Sequence, residues 1–111
     1  MKKEWNLKYL PEAKEDFKVF DNSVRKRLYK SISRTIENPL PRQQGGYGEP
    51  LGHKHGINLT GFLKIKLRGI GLRIVYKLEE PDMLIIVAAA REDEEVYKEA
   101  LSRIKKYNLY I

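Results

Sequence analysis

The sequence predicts an α+β fold: a single compact domain, residues 1–111, in the order βααβββα, with a mainly antiparallel four-stranded sheet, a helical hairpin and a C-terminal helix. Three observations carry this prediction. Residues 5–9 and 62–78 alternate apolar and polar side chains with the period of a half-buried strand. Residues 24–36 repeat apolar side chains every four positions, as a helix does. Residues 83–90, "MLIIVAAA", are apolar without alternation, which suits a central strand covered on both faces. No internal repeat, low-complexity tract or interdomain linker interrupts the pattern, and 111 residues suit one domain.

Taken in order, "EWNLKYL" sets Trp5, Leu7 and Tyr9 on one face of a first strand and Asn6 and Lys8 on the other. Pro11 suits the first turn of a helix, and Glu12 is favourable near its positive end. Ala13, Phe17 and Phe20 give that helix its buried stripe, and "DNS" at 21–23 stops it and caps the next. Val24, Leu28, Ile32 and Ile36 form the apolar edge of the second helix, with Arg25, Lys26, Arg27, Lys30 and Arg34 over much of the rest. Residues 38–61 are rich in proline and glycine and are expected to be loop. A loop of this length in a compact domain is often functional or mobile.

"FLKIKLRGIGLRIVYKL", residues 62–78, follows as a hairpin with three lysines, two arginines and no acid. Leu63, Ile65 and Leu67 share one face of its first strand, and Lys64, Lys66 and Arg68 the other. Pairing Arg68 with Arg73 and Lys64 with Lys77 leaves one side wholly apolar and gathers the cations on the other, with the turn at 69–72. After the strand at 83–90, Asp93 is expected to cap a last helix whose inward stripe is Val96, Tyr97, Ala100, Leu101 and Ile104.

Composition narrows the function. The net charge is +7 and the pI about 9.6, so a polyanion is the first partner to consider, whether nucleic acid, anionic lipid or acidic protein. The absence of cysteine excludes disulfides and thiol chemistry. No apolar run approaches the roughly 18 residues of a membrane span. The basic start lacks the apolar region of a signal peptide, so the cytoplasm is the expected location, with no membrane partner. Among motifs, "HKH" at 53–55 lacks a third metal ligand of convincing spacing, so neither metal nor cofactor is expected. "RGIGLR" has neither the glycine spacing nor the helix of a dinucleotide fingerprint, and no nucleophile elbow is present.

The cationic hairpin is open to two readings. It is either a solvated sheet face or a surface for an anion. Like charges opposed across strands are destabilising, which favours the second. Arg91, at the end of an apolar strand, suits an ion pair with Glu92 or Glu94 as well as a site. Tyr97 suits a core aromatic, yet a phenol beside a cationic face also suits gripping a single-stranded nucleotide.

"GFLKIKLRGIGLRIVYKLEE" followed by "VAAAREDEEVYKEALSRI" closely resembles the RelE toxins of bacterial toxin–antitoxin systems, within the RelE/ParE superfamily. The resemblance is strong over residues 59–104, the strand-helix-helix order upstream agrees, and the loop at 38–58 is longer than the family's. The K-I-K-L-R, R-I-V-Y and R-E-x-x-E-V-Y blocks are specific only together and in order. What the resemblance implies is a ribosome-dependent endoribonuclease that cuts mRNA in the decoding A site. Its active-site positions match Lys64, Lys66, Arg73, Arg91 and Tyr97, with Arg68 matching a family arginine near the site. Ala89-Ala90 stands where the family has glycine-lysine, and Asp93 where it has an arginine; both changes remove basic character.

The implied chemistry needs no metal. A 2′-hydroxyl that loses its proton attacks the adjacent phosphate and expels the 5′-oxygen. The enzyme must take that proton, stabilise the charged transition state and protonate the leaving group. Clustered cations lower one another's proton affinity and favour tyrosinate, so Lys66 or Tyr97 is the expected base. Arg73 and Lys64 are expected on the scissile phosphate, with Arg91 as phosphate stabiliser or acid and Tyr97 also able to stack on the target base. Lys26, Arg27, Lys30 and Arg34 on the second helix, with Arg68 and Lys77 on the hairpin, are the expected RNA contacts, against mRNA and the 16S rRNA of the 70S ribosome. A cognate antitoxin is expected to neutralise the protein by covering its basic face. Two alternatives compete: a ParE-like gyrase-inhibiting toxin without RNase activity, and a non-catalytic RNA- or ribosome-binding module.

Overall fold

The computed structural model describes residues 4–90 and 93–110, without the side chains of Ala90 and Asp93. A strand β1 (Asn6–Tyr9) leads into helix α1 (Pro11–Asp16), which continues as a short 3-10 turn over Phe17–Val19. Pro11 opens α1, where its missing N–H is no loss. Helix α2 (Asn22–Thr35) is capped by Asp21, whose carboxylate accepts from the Val24 amide at 3.0 Å. Leu28 and Ile32 of its four-residue stripe are fully buried, as their spacing predicts.

The long segment after α2 is more ordered than a loop. It contains β2 (Glu49–Pro50) and a small separate hairpin, β3 (His53–Lys54) with β4 (Ile57–Asn58). Strands this short and polar carry no periodicity, which is why the sequence does not announce them. The main hairpin is β5 (Leu63–Leu67) and β6 (Leu72–Glu79), followed by β7 (Asp82–Ala90) and helix α3 (Asp93–Tyr107). The main sheet is ordered β1-β7-β6-β5-β2, with β1 parallel to β7 and the other pairs antiparallel. The predicted four strands are therefore joined by a two-residue fifth at the edge. Outside the inserted segment, the order is the expected βααβββα.

β7 is central, and Ile85, Ile86, Val87 and Ala88 are buried in succession. Consecutive buried residues on a strand require cover on both faces. The helices supply it: α1 and α3 pack on β7, α3 also on β6, and α2 on β5. Asp16 joins the layers. Its carboxylate takes a two-pronged contact from Arg103 of α3, at 2.7 and 2.9 Å, and accepts from the Ala88 amide at 2.9 Å. Arg103 also donates to the Ile86 carbonyl at 2.8 Å. The radius of gyration is 13.0 Å, close to the expectation for a folded chain of this length. Among the described residues no helix is long and apolar enough to cross a membrane.

Candidate active site

The register of the basic hairpin corrects the expected pairing. Leu67 is opposite Leu72, Lys66 opposite Arg73, Ile65 opposite Ile74, Lys64 opposite Val75 and Leu63 opposite Tyr76. Arg68 therefore does not face Arg73, and Lys64 does not face Lys77, which lies opposite Leu84 of β7. The turn is Arg68-Gly69-Ile70-Gly71, with Gly71 at φ 67 in the left-handed region. A shift of two residues keeps every side chain on its own face, so the alternating pattern cannot tell the two registers apart. Energetics can. The observed register closes the turn on two buried leucines and leaves one opposed pair of cations where the other had two.

The cationic face also departs from a plain solvated one. Lys64 is only 6% exposed, between Val75 on one side and Glu49 of β2 on the other. Two residues along, Lys66 is exposed, and its partner Arg73 is half-buried, with a guanidinium N–H on the Gly71 carbonyl at 3.4 Å. Charge thus runs from a desolvated lysine outward to a lysine–arginine pair at the turn. Arg68 continues it on the exposed turn. Arg27 of α2 lies against Gly69 of that turn, where a Cβ would meet its guanidinium. Lys26, Lys30 and Arg34 extend the basic surface along exposed positions of α2, and Arg34 sits over the Tyr47 ring at 5.1 Å. Lys77 is set apart: it is 12% exposed, bonded to Glu79 at 2.9 Å.

Tyr97 lies on the inward stripe of α3 and is only 1% exposed. Its hydroxyl accepts from the Gly52 amide at 3.4 Å, and the His55 ring meets it edge-on with centroids 5.7 Å apart. Arg91 lies outside the described residues, as do Glu92 and the Asp93 side chain expected to cap α3. Two contributors escape the sequence reading: Glu49, the acid that β2 sets opposite Lys64, and the β3–β4 hairpin that covers Tyr97. The one clue to the hairpin is "HG", two residues able to close a tight turn. Among the described residues no group of three or more His, Asp or Glu side chains could hold a metal ion.

Fold and site together define a small α+β protein with a graded cation cluster at one end of its sheet. No family model matches the chain. It is 29% identical over 100 residues to the mRNA interferase toxin RelE of Escherichia coli K12, covering 88% of this chain and 95% of that one. A mutant of E. coli toxin RelE solved in the free state superposes with a TM-score of 0.66 at 27% identity, over 94% of this chain and 99% of that one. A mutant of the same toxin in complex with an antitoxin RelBc peptide gives 0.63 at 26%, over 87% and 94%. In sequence and in fold the chain is similar to the RelE toxins.

Proposed function

We propose that the protein is the toxin of a type II toxin–antitoxin pair and cleaves mRNA in the ribosomal A site, acting in the cytoplasm as one domain over residues 1–111. The carrying observation is the opposed pair Lys66 and Arg73, at the turn end of a face that continues inward to Lys64, within a RelE-type fold. Lys66 takes the 2′-hydroxyl proton, since it is the exposed lysine of the face. Arg73 and Lys64 hold the scissile phosphate and its developing charge. Arg91 adds a further cation, and Tyr97 supports the site from α3. The products are a 2′,3′-cyclic phosphate, or the 3′-phosphate from its opening, and a 5′-hydroxyl. The ribosome contributes by holding the RNA in an in-line geometry, which relieves weak acid–base groups of part of the barrier.

The partners are mRNA, the 70S ribosome and a cognate antitoxin. Support for the antitoxin is the RelBc-bound E. coli relative. The test is incubation of purified protein with mRNA, with and without programmed ribosomes, mapping ends by primer extension. A-site cuts with ribosomes alone are the expected result, falling about 10²-fold or more in Lys66→Ala. Cuts in free RNA would remove the ribosome from the reading. No cuts together with gyrase arrest would replace it by the ParE-like one.

A further inference from the structure

Helix α2 holds five cations and no acid, and three of them, Lys26, Lys30 and Arg34, recur every four residues. That spacing lines them along one exposed ridge about 12 Å long. Elsewhere on the surface Lys18, Lys98 and Lys106 are matched to glutamates, whereas the ridge forms no ion pair among the described residues. At its end Arg34 lies over the Tyr47 ring, 5.1 Å from the centroid, and Tyr47 is still 41% exposed. The segment that presents this ring is held without its side chain. Its backbone closes on itself: the Tyr47 amide donates to the Asn38 carbonyl at 3.0 Å, Gly48 to Leu40 at 3.1 Å and Arg42 to Gly48 at 2.9 Å. A Cβ at Gly46 would run into the Leu40 backbone, and the buried Tyr76 hydroxyl anchors the Pro39 carbonyl. Tyr47 is thus a fixed aromatic at the end of a line of unpaired cations.

We propose that Tyr47 and Arg34 form a stacking site for one unpaired nucleobase of ribosomal RNA, with Lys26 and Lys30 on the phosphates that lead to it. The inference rests on the ribosome-directed reading above. A ring beside a row of cations matches both parts of single-stranded RNA: the base has a π-face to stack, and the phosphates need countercharge. An anionic lipid headgroup would engage the cations alone, and a paired base inside a duplex has no free face to offer the ring. Arg34 serves both parts, since a guanidinium stacks on aromatic planes and keeps its charge. The base therefore extends the Arg34–Tyr47 stack. Ribosomal RNA is its source because the message is held at Lys66 and Arg73, beside the hairpin turn. Arg27 is the α2 residue that touches that turn, and Arg34 lies about 10 Å further along the helix.

Filter binding to vacant 70S ribosomes, free of mRNA, across a salt series tests this. Tyr47→Leu is expected to bind about tenfold more weakly, with the slope of log affinity against log salt unchanged, because a stack is lost and no phosphate contact with it. Tyr47→Phe keeps the ring and binds as the wild type does. Irradiation of the Tyr47→p-benzoylphenylalanine variant on the same ribosomes is expected to cross-link the protein to ribosomal RNA, a result independent of any effect of Tyr47→Leu on stability. Wild-type affinity in Tyr47→Leu, or a cross-link to ribosomal protein instead, overturns the proposal. A deficit that appears only when mRNA is bound assigns the base to the message and overturns it too. Ribosome binding that depends on Tyr47, without any cleavage of mRNA, leaves the stacking site standing and overturns the cleavage reading. A wild-type protein with no affinity for ribosomes overturns both.

Discussion

A Cβ built on Gly48 would collide with the Tyr76 hydroxyl and press on Leu63 and the Pro39 carbonyl, at 3.1 and 3.2 Å. That hydroxyl donates to the Pro39 carbonyl at 2.7 Å, and burial pushes its ionisation well above the ordinary phenol value. Glycine is therefore required at 48 for space. Gly48→Ala is expected to cost about 1–3 kcal/mol by overpacking. Tyr76→Phe costs a similar amount by leaving a buried carbonyl without its donor, about 1–3 kcal/mol. The double variant should lose less than the sum, because removing the hydroxyl frees the space that the methyl group needs. Urea unfolding of the four proteins measures this coupling; strict additivity would mean that the two residues do not meet. At this scale the sequence is informative about which residues face together and blind to distance along the strand. Lys64 is legible as a member of the cationic face. Its burial is not, because that depends on β2, an element whose docking no local pattern encodes.

Helix α2 shows what can be read from an element and what needs its neighbours. Its cap and the burial of Leu28 and Ile32 follow from "DNS" and the four-residue spacing. That its basic side meets the β5–β6 turn, with Arg27 lying against Gly69, follows only from the packed fold. The contact makes one basic surface from two elements distant in sequence. Lys26→Glu with Lys30→Glu replaces two exposed cations without touching the buried stripe, so the fold should survive. Ribosome affinity is expected to fall about tenfold or more near 0.1 M salt, and the slope of log affinity against log salt to flatten by roughly one for each phosphate that is no longer neutralised. Filter binding across a salt series reads both quantities; an unchanged slope would reduce this side of α2 to a solvated surface. The β3–β4 hairpin is the converse case. Its strands are two residues each, and they hold their place through Tyr97 on another element, so the sequence suggests only a loop.

Across the whole molecule, the two ends of the described chain are clasped around β7. Asp16 meets Arg103 across 87 residues of sequence, and Glu12 meets Lys106 across 94. The first pair is nearly buried, so Asp16→Ala strands the Ala88 amide and leaves Arg103 only the Ile86 carbonyl and Glu99; a loss of about 3 kcal/mol is expected, read by urea unfolding. The second pair lies near the surface and brings a pH dependence instead. Hydrogen bonds from the Lys106 ammonium at 2.7 Å and the Tyr107 hydroxyl at 2.8 Å hold the Glu12 carboxyl at about 2, against an ordinary 4.5. Because the folded value is the lower one, the stabilisation is complete above about pH 4.5 and disappears as pH falls towards 2. Lys106 gives the mirror effect: its ionisation is raised by the hydrogen bond to Glu12, so its share fades only at strongly alkaline pH. Melting temperatures of the wild type and Glu12→Gln should therefore differ at pH 7, converge between pH 4.5 and 2, and coincide below. High salt should narrow the gap at pH 7, since the pair is partly exposed. A gap that persists unchanged down to pH 2 would mean that Glu12 contributes through packing, and that the clasp between the chain's ends rests on Asp16 and Arg103 alone.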